Sequence, residues 1–348
     1  MRTTLLSLSQ KLRRNPGYLV LLALVLAAVY GILHPGDWNP KHKRGLVSLS
    51  SSVQLQWQTP AGWLAAPPAA DAKAVYLFYG GSDWLMAKDL RSGMELWSFT
   101  SGMAAGHTYG TRSVLTDGDT VYALTATTAS AFSATTGAEL WATELGYGHV
   151  RVVPQLTPTS LRVYYGDTVI DLDRDTGQIA RREESSILLW RTQGIDLVQQ
   201  SPKLQAFNTA AATEVWRSYL PRVLILGDMP PVDLPSAILA PIETGELCRL
   251  SLASGRLDWC TQTQPTSNAA VVESLGRAYL IDGARQLLEV DLRAGDTTPL
   301  AAFPVVEGKA PDPTRYPFHD YVAVSSGTLI VYLGDTYQLF ALHVNDAD

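Results

Sequence analysis

Four stretches of the chain repeat one another closely: AKDLRSGMELW at 87–97, AFSATTGAELW at 131–141, AFNTAAATEVW at 206–216 and RLSLASGRLDW at 249–259. Each places a Trp (Trp97, Trp141, Trp216, Trp259) four positions after a turn residue, which is Gly93, Gly137, Ala212 or Gly255. Two weaker copies extend the series. LDRDTGQIAR (172–181) has Arg181 at the Trp position, and VDLRAGDTTP (290–299) has Pro299 there. The turn positions 93, 137, 177, 212, 255 and 295 lie 44, 40, 35, 43 and 40 residues apart. A period of about 40 residues is what four short antiparallel strands and their turns require, the size of one propeller blade.

The intervening sequence has strand chemistry. TVYALT (120–125) and LIVYL (329–333) alternate or run apolar, with Asp-Gly, Ser-Gly and Thr-Gly at the turns. Trp57 lies 40 residues before Trp97, in phase, but no blade precedes it. At the other end, residues 329–344 stop short of a Trp strand. The economical solution is an all-β, seven-bladed propeller of four-stranded antiparallel blades, in which strand 51–58 completes the last blade and closes the ring. Closure removes the exposed sheet edges of an open array. An eighth blade would need residues 184–216 to hold more than one unit. The in-phase Trp57, Trp97, Trp141, Trp216 and Trp259 are expected to fill the gaps between adjacent blades and to hydrogen-bond their indole N–H groups.

The chain has 348 residues, 46% of them hydrophobic, with 27 Lys+Arg against 33 Asp+Glu. Charge is unevenly placed. Residues 1–45 carry seven basic residues and one acid, Asp37, which leaves 20 basic and 32 acidic residues in the remainder. An acidic body repels a phosphate backbone, so nucleic acid is not an expected partner.

Between Asn15 and Gly36 there is no charged residue, and YLVLLALVLAAV (18–29) is almost wholly apolar. As a helix, this stretch would reach ~33 Å, enough for a ~30 Å hydrocarbon core. The expected layout is a short cytoplasmic arm (1–16), a transmembrane signal-anchor helix (17–36), a linker (37–50) and the propeller (51–348). The chain would then be a single-pass cell-membrane protein, N-terminus cytoplasmic and propeller extracytoplasmic. The rival reading is a cleaved signal peptide, for which Val29-Tyr30-Gly31 is a marginal site. Both readings export the propeller.

Cys248 and Cys260 are the only cysteines. Folding 248–260 about Ser254 as a hairpin pairs Leu252 with Arg256 and sets the two cysteines opposite each other, within reach of a disulfide. An exported domain would keep such a bond; a pair of reduced core thiols is the alternative. Asp171, Asp173 and Asp175 imitate the start of a calcium loop, but Thr176 and Arg182 stand where Gly and Glu are needed.

A cluster at the channel mouth is the candidate ligand or partner face: His107, Tyr109, His149, Arg151, His319 and Tyr321, all assigned to connections between one blade's outer strand and the next blade's inner strand. The longest connection, 304–320, holds four prolines. Searches for a nucleophile elbow, a zincin helix, a Walker loop or a dinucleotide fingerprint find none. Neither a catalytic residue nor a cofactor is expected.

The turn-plus-Trp motif resembles the repeat of pyrroloquinoline-quinone (PQQ)-type propellers, over about residues 50–344. One branch of that superfamily comprises quinoprotein dehydrogenases, which carry a vicinal Cys-Cys pair; Cys248 and Cys260 are not adjacent. The other is non-catalytic, typified by the propeller lipoprotein of the Bam outer-membrane assembly complex. Resemblance to that branch implies a protein-interaction scaffold whose partners are other envelope or membrane proteins. The alternatives are a PQQ-binding oxidoreductase or sensor, and a small-ligand or polysaccharide binder at the channel mouth.

Overall fold

The computed structural model describes residues 48–80, 84–100, 112–146, 154–165, 167–184, 188–200, 203–219, 232–242, 245–265, 267–304 and 320–345. The apolar segment 17–36 lies outside them. Among the described residues, no helix is long and apolar enough to cross a membrane, and the helical content is one 3-10 turn, Glu273–Leu275.

The strands form seven antiparallel sheets in chain order. Blade I runs Ala69–Ala70, Ala74–Tyr79, Trp84–Asp89, Glu95–Thr100. Blades II to V cover Ser113–Glu144, Gln155–Glu184, Leu188–Tyr219 and Val232–Gln262, and blade VI spans Ala270–Ala302. Blade VII is composite: Tyr321–Ser325, Thr328–Leu333 and Gln338–Val344 come from the C-terminal end, and Val53–Pro60 supplies the fourth strand. Val53 pairs with Val344 and Pro60 with Gln338, so the ring is closed by joining the two ends of the described chain. The closing strand lies two residues later than the 51–58 expected. Residues 188–219 form one blade, so the count is seven.

Second strands are buried on both faces, as in AVYLFY (74–79), because each blade is sandwiched between two neighbours. Fourth strands face solvent and alternate, as in ELWSFT (95–100). First strands of successive blades lie next to one another around the axis, as blades VI, VII, I and II show.

Four of the blade-closing turns share one side-chain cap. Asp89, Asp173, Asn208 and Asp291 accept the N–H groups two and three residues on, with contacts of 2.7–3.2 Å. The residue four positions after the cap takes the left-handed conformation, φ +69° at Gly93, +70° at Gly177 and +80° at Gly295, and +52° at Ala212, which stands in place of glycine. Asp173 is thus a turn cap, and Asp171 pairs bidentately with Arg162 at 2.8 and 3.1 Å, which accounts for the calcium-like spacing.

A bulge precedes each repeated Trp: Ala87 opposes Trp97 while Lys88 opposes Glu95, skipping Leu96, and the same one-residue slip recurs before Trp57, Trp141, Trp216 and Trp259. In blade V that slip corrects the sequence reading of the cysteine hairpin. The turn pairs Ser251 with Arg256, not Leu252 with Arg256. Skipping Asp258 then restores the register, so Cys248 does face Cys260. The two are disulfide-bonded, with Cα atoms 4.1 Å apart.

One strand was not anticipated. Ser48–Leu49, inside the expected linker, adds a fifth strand to the outer edge of blade VI, opposite Ala301 and Ala302. From there the chain crosses to blade VII, and the Ser50 N–H donates to the Leu300 carbonyl at 2.8 Å.

Candidate functional site

Blade docking sets the frame on which any site is built. Each in-phase Trp reaches into the next blade. The indole N–H groups of Trp57, Trp97, Trp141, Trp216 and Trp259 donate to the carbonyls of Leu90, Ala134, Arg174, Leu252 and Leu292, at 2.8, 2.8, 2.9, 2.6 and 3.1 Å. Each ring lies flat on that blade's turn glycine. A Cβ added to Gly93, Gly137, Gly177, Gly255 or Gly295 would meet ring atoms at 2.3–2.8 Å. These five tryptophans are therefore structural.

Two junctions lack the pair, and in both the partner glycine is missing too. Between blades III and IV, Arg181 replaces Trp and Ala212 replaces Gly. There an ionic network takes over: buried Arg191 binds Asp196 at 2.5 and 2.8 Å and reaches back to Glu183 of blade III at 3.1 Å. Between blades VI and VII, Pro299 replaces Trp and the turn is interrupted by ring closure. The crossing segment 48–53 bridges that gap.

The ring presents two faces. One carries the turns just described. The other carries the connections from outer to inner strands, together with the turns between second and third strands. Of the expected mouth cluster, His107, Tyr109, His149, Arg151 and His319 lie outside the described residues. Tyr321 is described, and it opens the innermost strand of blade VII, where its ring is 4% exposed and stacks on Tyr332 at 5.8 Å. It is a core residue, and it does not present a ring to the mouth. Its neighbour Asp320 is also buried, accepting the Gly334 N–H at 3.1 Å and facing Arg285 Nε at 3.6 Å. Among the described residues, no group of His, Cys, Asp or Glu is arranged to hold a metal ion.

What the connection face does present is Trp63, missed in the sequence because it belongs to no repeat. The signal was its phase: it falls six residues after Trp57, where no blade needs an indole. Its side chain is 54% exposed. The loop beneath is tied to its neighbours by several hydrogen bonds. The Ala61 N–H donates to Tyr337 O at 2.7 Å, and the Gly80 N–H donates to Trp63 O at 2.8 Å. The Leu64 N–H donates to the Tyr332 hydroxyl, which in turn donates to Gly62 O, both at 3.2 Å. Burial pushes the Tyr332 hydroxyl well above its ordinary range, so it remains a phenol with a proton to give. The Trp63 ring lies on Gly80, where an added Cβ would sit 2.4 Å from Cε3. Beside it, Tyr79 stacks on Trp84 at 5.0 Å. The result is an exposed indole seated on a hydrogen-bonded loop, with buried Tyr79 beneath it.

Nearer the axis, Asp233 accepts from Trp190 Nε1 at 2.7 Å and from Gln155 Nε2 at 3.4 Å, tying the inner strands of blades III, IV and V. Burial raises its carboxyl above the usual range. This cluster is internally bonded and built to hold strands together.

Seven antiparallel blades, closed by Val53–Pro60 and keyed at five joints by Trp on Gly, define a β-propeller whose repeat resembles that of PQQ-type propellers. The family model described as outer membrane protein assembly factor BamB matches residues 43–200. The crystal structure of BamB from Moraxella catarrhalis is similar, with a TM-score of 0.52 at 13% sequence identity, covering 87% of this chain and 98% of that one. No curated protein matches the chain. The chain thus resembles BamB in fold, and over residues 43–200 it resembles that family's repeat.

Proposed function

We propose that this chain is a non-catalytic, membrane-tethered scaffold that binds other envelope proteins through the connection face of its propeller. The observation that carries the reading is Trp63: a half-exposed indole on a loop locked by Tyr332, Tyr337 and Gly80 is an anchor prepared for a partner. Aromatic anchors of this kind dominate protein interfaces because they bury large area with little side-chain entropy lost. Likeness to an outer membrane protein assembly factor supports the same reading. The apolar stretch 17–36 supplies the tether, and extracytoplasmic placement suits the disulfide. That disulfide joins the third and fourth strands of blade V, toward the rim, where a vicinal cysteine pair serving a quinone would not be.

Native mass spectrometry of the chain gently extracted from its own membranes tests this. A second polypeptide travelling with it, and lost from Trp63→Ala, is the expected result. A mass increment of quinone or metal size, unaffected by that substitution, would overturn the proposal in favour of a redox enzyme.

A further inference from the structure

The fifth strand of blade VI shows from which side the chain enters the propeller. Ser48 and Leu49 lie opposite Ala302 and Ala301, antiparallel to Thr297–Ala302. That strand rises from the turn at Gly295 to Phe303, whose N–H donates to the carbonyl of Arg285 on the connection face. Ser48 is therefore at the connection-face end. The chain then descends: the Ser52 carbonyl accepts from Asn345, and Val53 pairs with Val344, beside the turn at Gly327 on the opposite face. Ser48, the first described residue, thus lies at the end of its strand nearest the face that bears Trp63.

The tether reading adds a length limit. Residues 37–47 separate the apolar segment from Ser48, and at ~3.3–3.6 Å per residue they span at most ~40 Å when fully extended. We infer that the propeller hangs with its connection face toward the bilayer, and that Trp63 docks the extracytoplasmic part of an integral membrane protein in that same bilayer. This rests on the membrane-tethered reading above. A gap of at most ~40 Å between face and membrane favours a partner that is itself held there. Lipid headgroups fit less well. Residues 46–348 carry 20 basic and 32 acidic side chains, and an acidic body is repelled by anionic lipid.

The orientation can be read with two donor dyes on one blade. Ala284 and Ala294 are both exposed and lie at opposite ends of the strand Gln286–Asp291, roughly 20–25 Å apart at ~3.3 Å per residue. Full-length Ala284→Cys and Ala294→Cys chains are labelled and reconstituted in phosphatidylcholine vesicles that carry an acceptor headgroup. Energy transfer several-fold stronger from position 284 is expected; equal transfer, or stronger transfer from 294, overturns the orientation. A chain that washes off the vesicles would instead refute the tether, a separate failure.

The partner is tested in native membranes with a photo-crosslinking benzoyl-phenylalanine at position 63 or 294. An integral membrane protein captured at least tenfold more from 63 is expected, with loss of capture when a long Gly/Ser insert follows Pro40. Capture of lipid alone, of a soluble protein, or equally from both positions overturns the assignment.

Discussion

Replacing Gly137 by Ala tests the ring-on-glycine joint directly. Gly137 has φ +69°, and an added Cβ would stand 2.6 Å from Cδ2 and Cε3 of Trp97, a buried indole anchored by its bond to Ala134 O. Two costs are expected. A left-handed non-glycine residue loses ~1–2 kcal/mol. Forcing a methyl into a filled joint costs a further ~1–3 kcal/mol, because Trp97 cannot retreat without breaking its hydrogen bond. The sum, ~2–5 kcal/mol, is a large share of a domain's stability. Only the second cost belongs to the joint, and a double-mutant cycle separates it. In a Trp97→Leu background the methyl has room, so Gly137→Ala should cost only the ~1–2 kcal/mol of backbone strain. Urea denaturation of the four purified chains, followed by circular dichroism, gives the coupling energy. Equal costs of Gly137→Ala in both backgrounds would refute the joint and leave the glycine with a purely local role.

Other outcomes follow from the same geometry. Ala212 has φ +52° with no Trp against it, so Ala212→Gly should stabilise by up to ~1 kcal/mol in urea denaturation. The Cys248–Cys260 bond closes a loop with a sequence separation of 12, so the double Cys→Ala variant should lose ~2–3 kcal/mol, as should the reduced parent. Asp233 has a carboxyl raised by burial, so its neutral form is favoured on folding: it costs nothing below the unfolded pKa and destabilises as pH rises through the folded one. Asp233→Asn keeps an acceptor for Trp190 and should be more stable than the parent at pH 8, with the advantage vanishing toward pH 3. Asp291 is the opposite case, lowered by the Ala294 and Arg293 N–H groups, so its cap is lost as pH falls; Asp291→Asn should fold and flatten the acid limb of a stability profile. Asn208 already fills that role in blade IV.

The architecture was legible because a propeller repeats its structural requirements once per blade. Trp97 and Gly137 can be picked out by counting, since the same steric joint recurs with the same spacing. Even the composite blade could be inferred, because Trp57 is in phase and a ring must close. What escaped was whatever occurs once. The strand Ser48–Leu49 is two residues long and carries no pattern, and it exists only because blade VI has an edge at the right height. The bulge before each Trp is invisible to symmetric hairpin counting, which is why Leu252 and Arg256 were mispaired while the cysteines came out opposite. Tyr321 illustrates the limit for sites: a Tyr at the start of an inner strand reads as a mouth residue, whereas stacking on Tyr332 makes it core. Trp63 illustrates the converse, since the eye follows the five repeated tryptophans and passes one that breaks step.

That contrast yields a rule for reading the chain. Trp and Gly at a junction are two halves of one steric object, so losing one removes the reason for keeping the other. At the blade III–IV junction Arg181 stands for Trp and Ala212 for Gly, and the cohesion lost is replaced by Arg191 bridging Asp196 and Glu183. A salt-bridged joint is weaker evidence of stability than a packed one, because desolvating Arg191 offsets much of the attraction. The blade VI–VII junction is replaced by chain: the crossing segment 48–53 is hydrogen-bonded to both blades. Of the seven joints, that one alone is continuous with the N-terminal segment, so a pull on the proposed tether would be borne first by the strand on blade VI and then by the closing strand Val53–Pro60. With the ring closure there, the force opening the ring and the force on the proposed tether would act on the same residues. Because Ser48 lies at the connection-face end and Val53 at the opposite end, such a pull would first strip Ser48–Leu49 from blade VI and only then peel the closing strand, starting at Val53–Val344. The two-residue strand on blade VI would thereby shield the closing strand from a load applied at the N-terminal side.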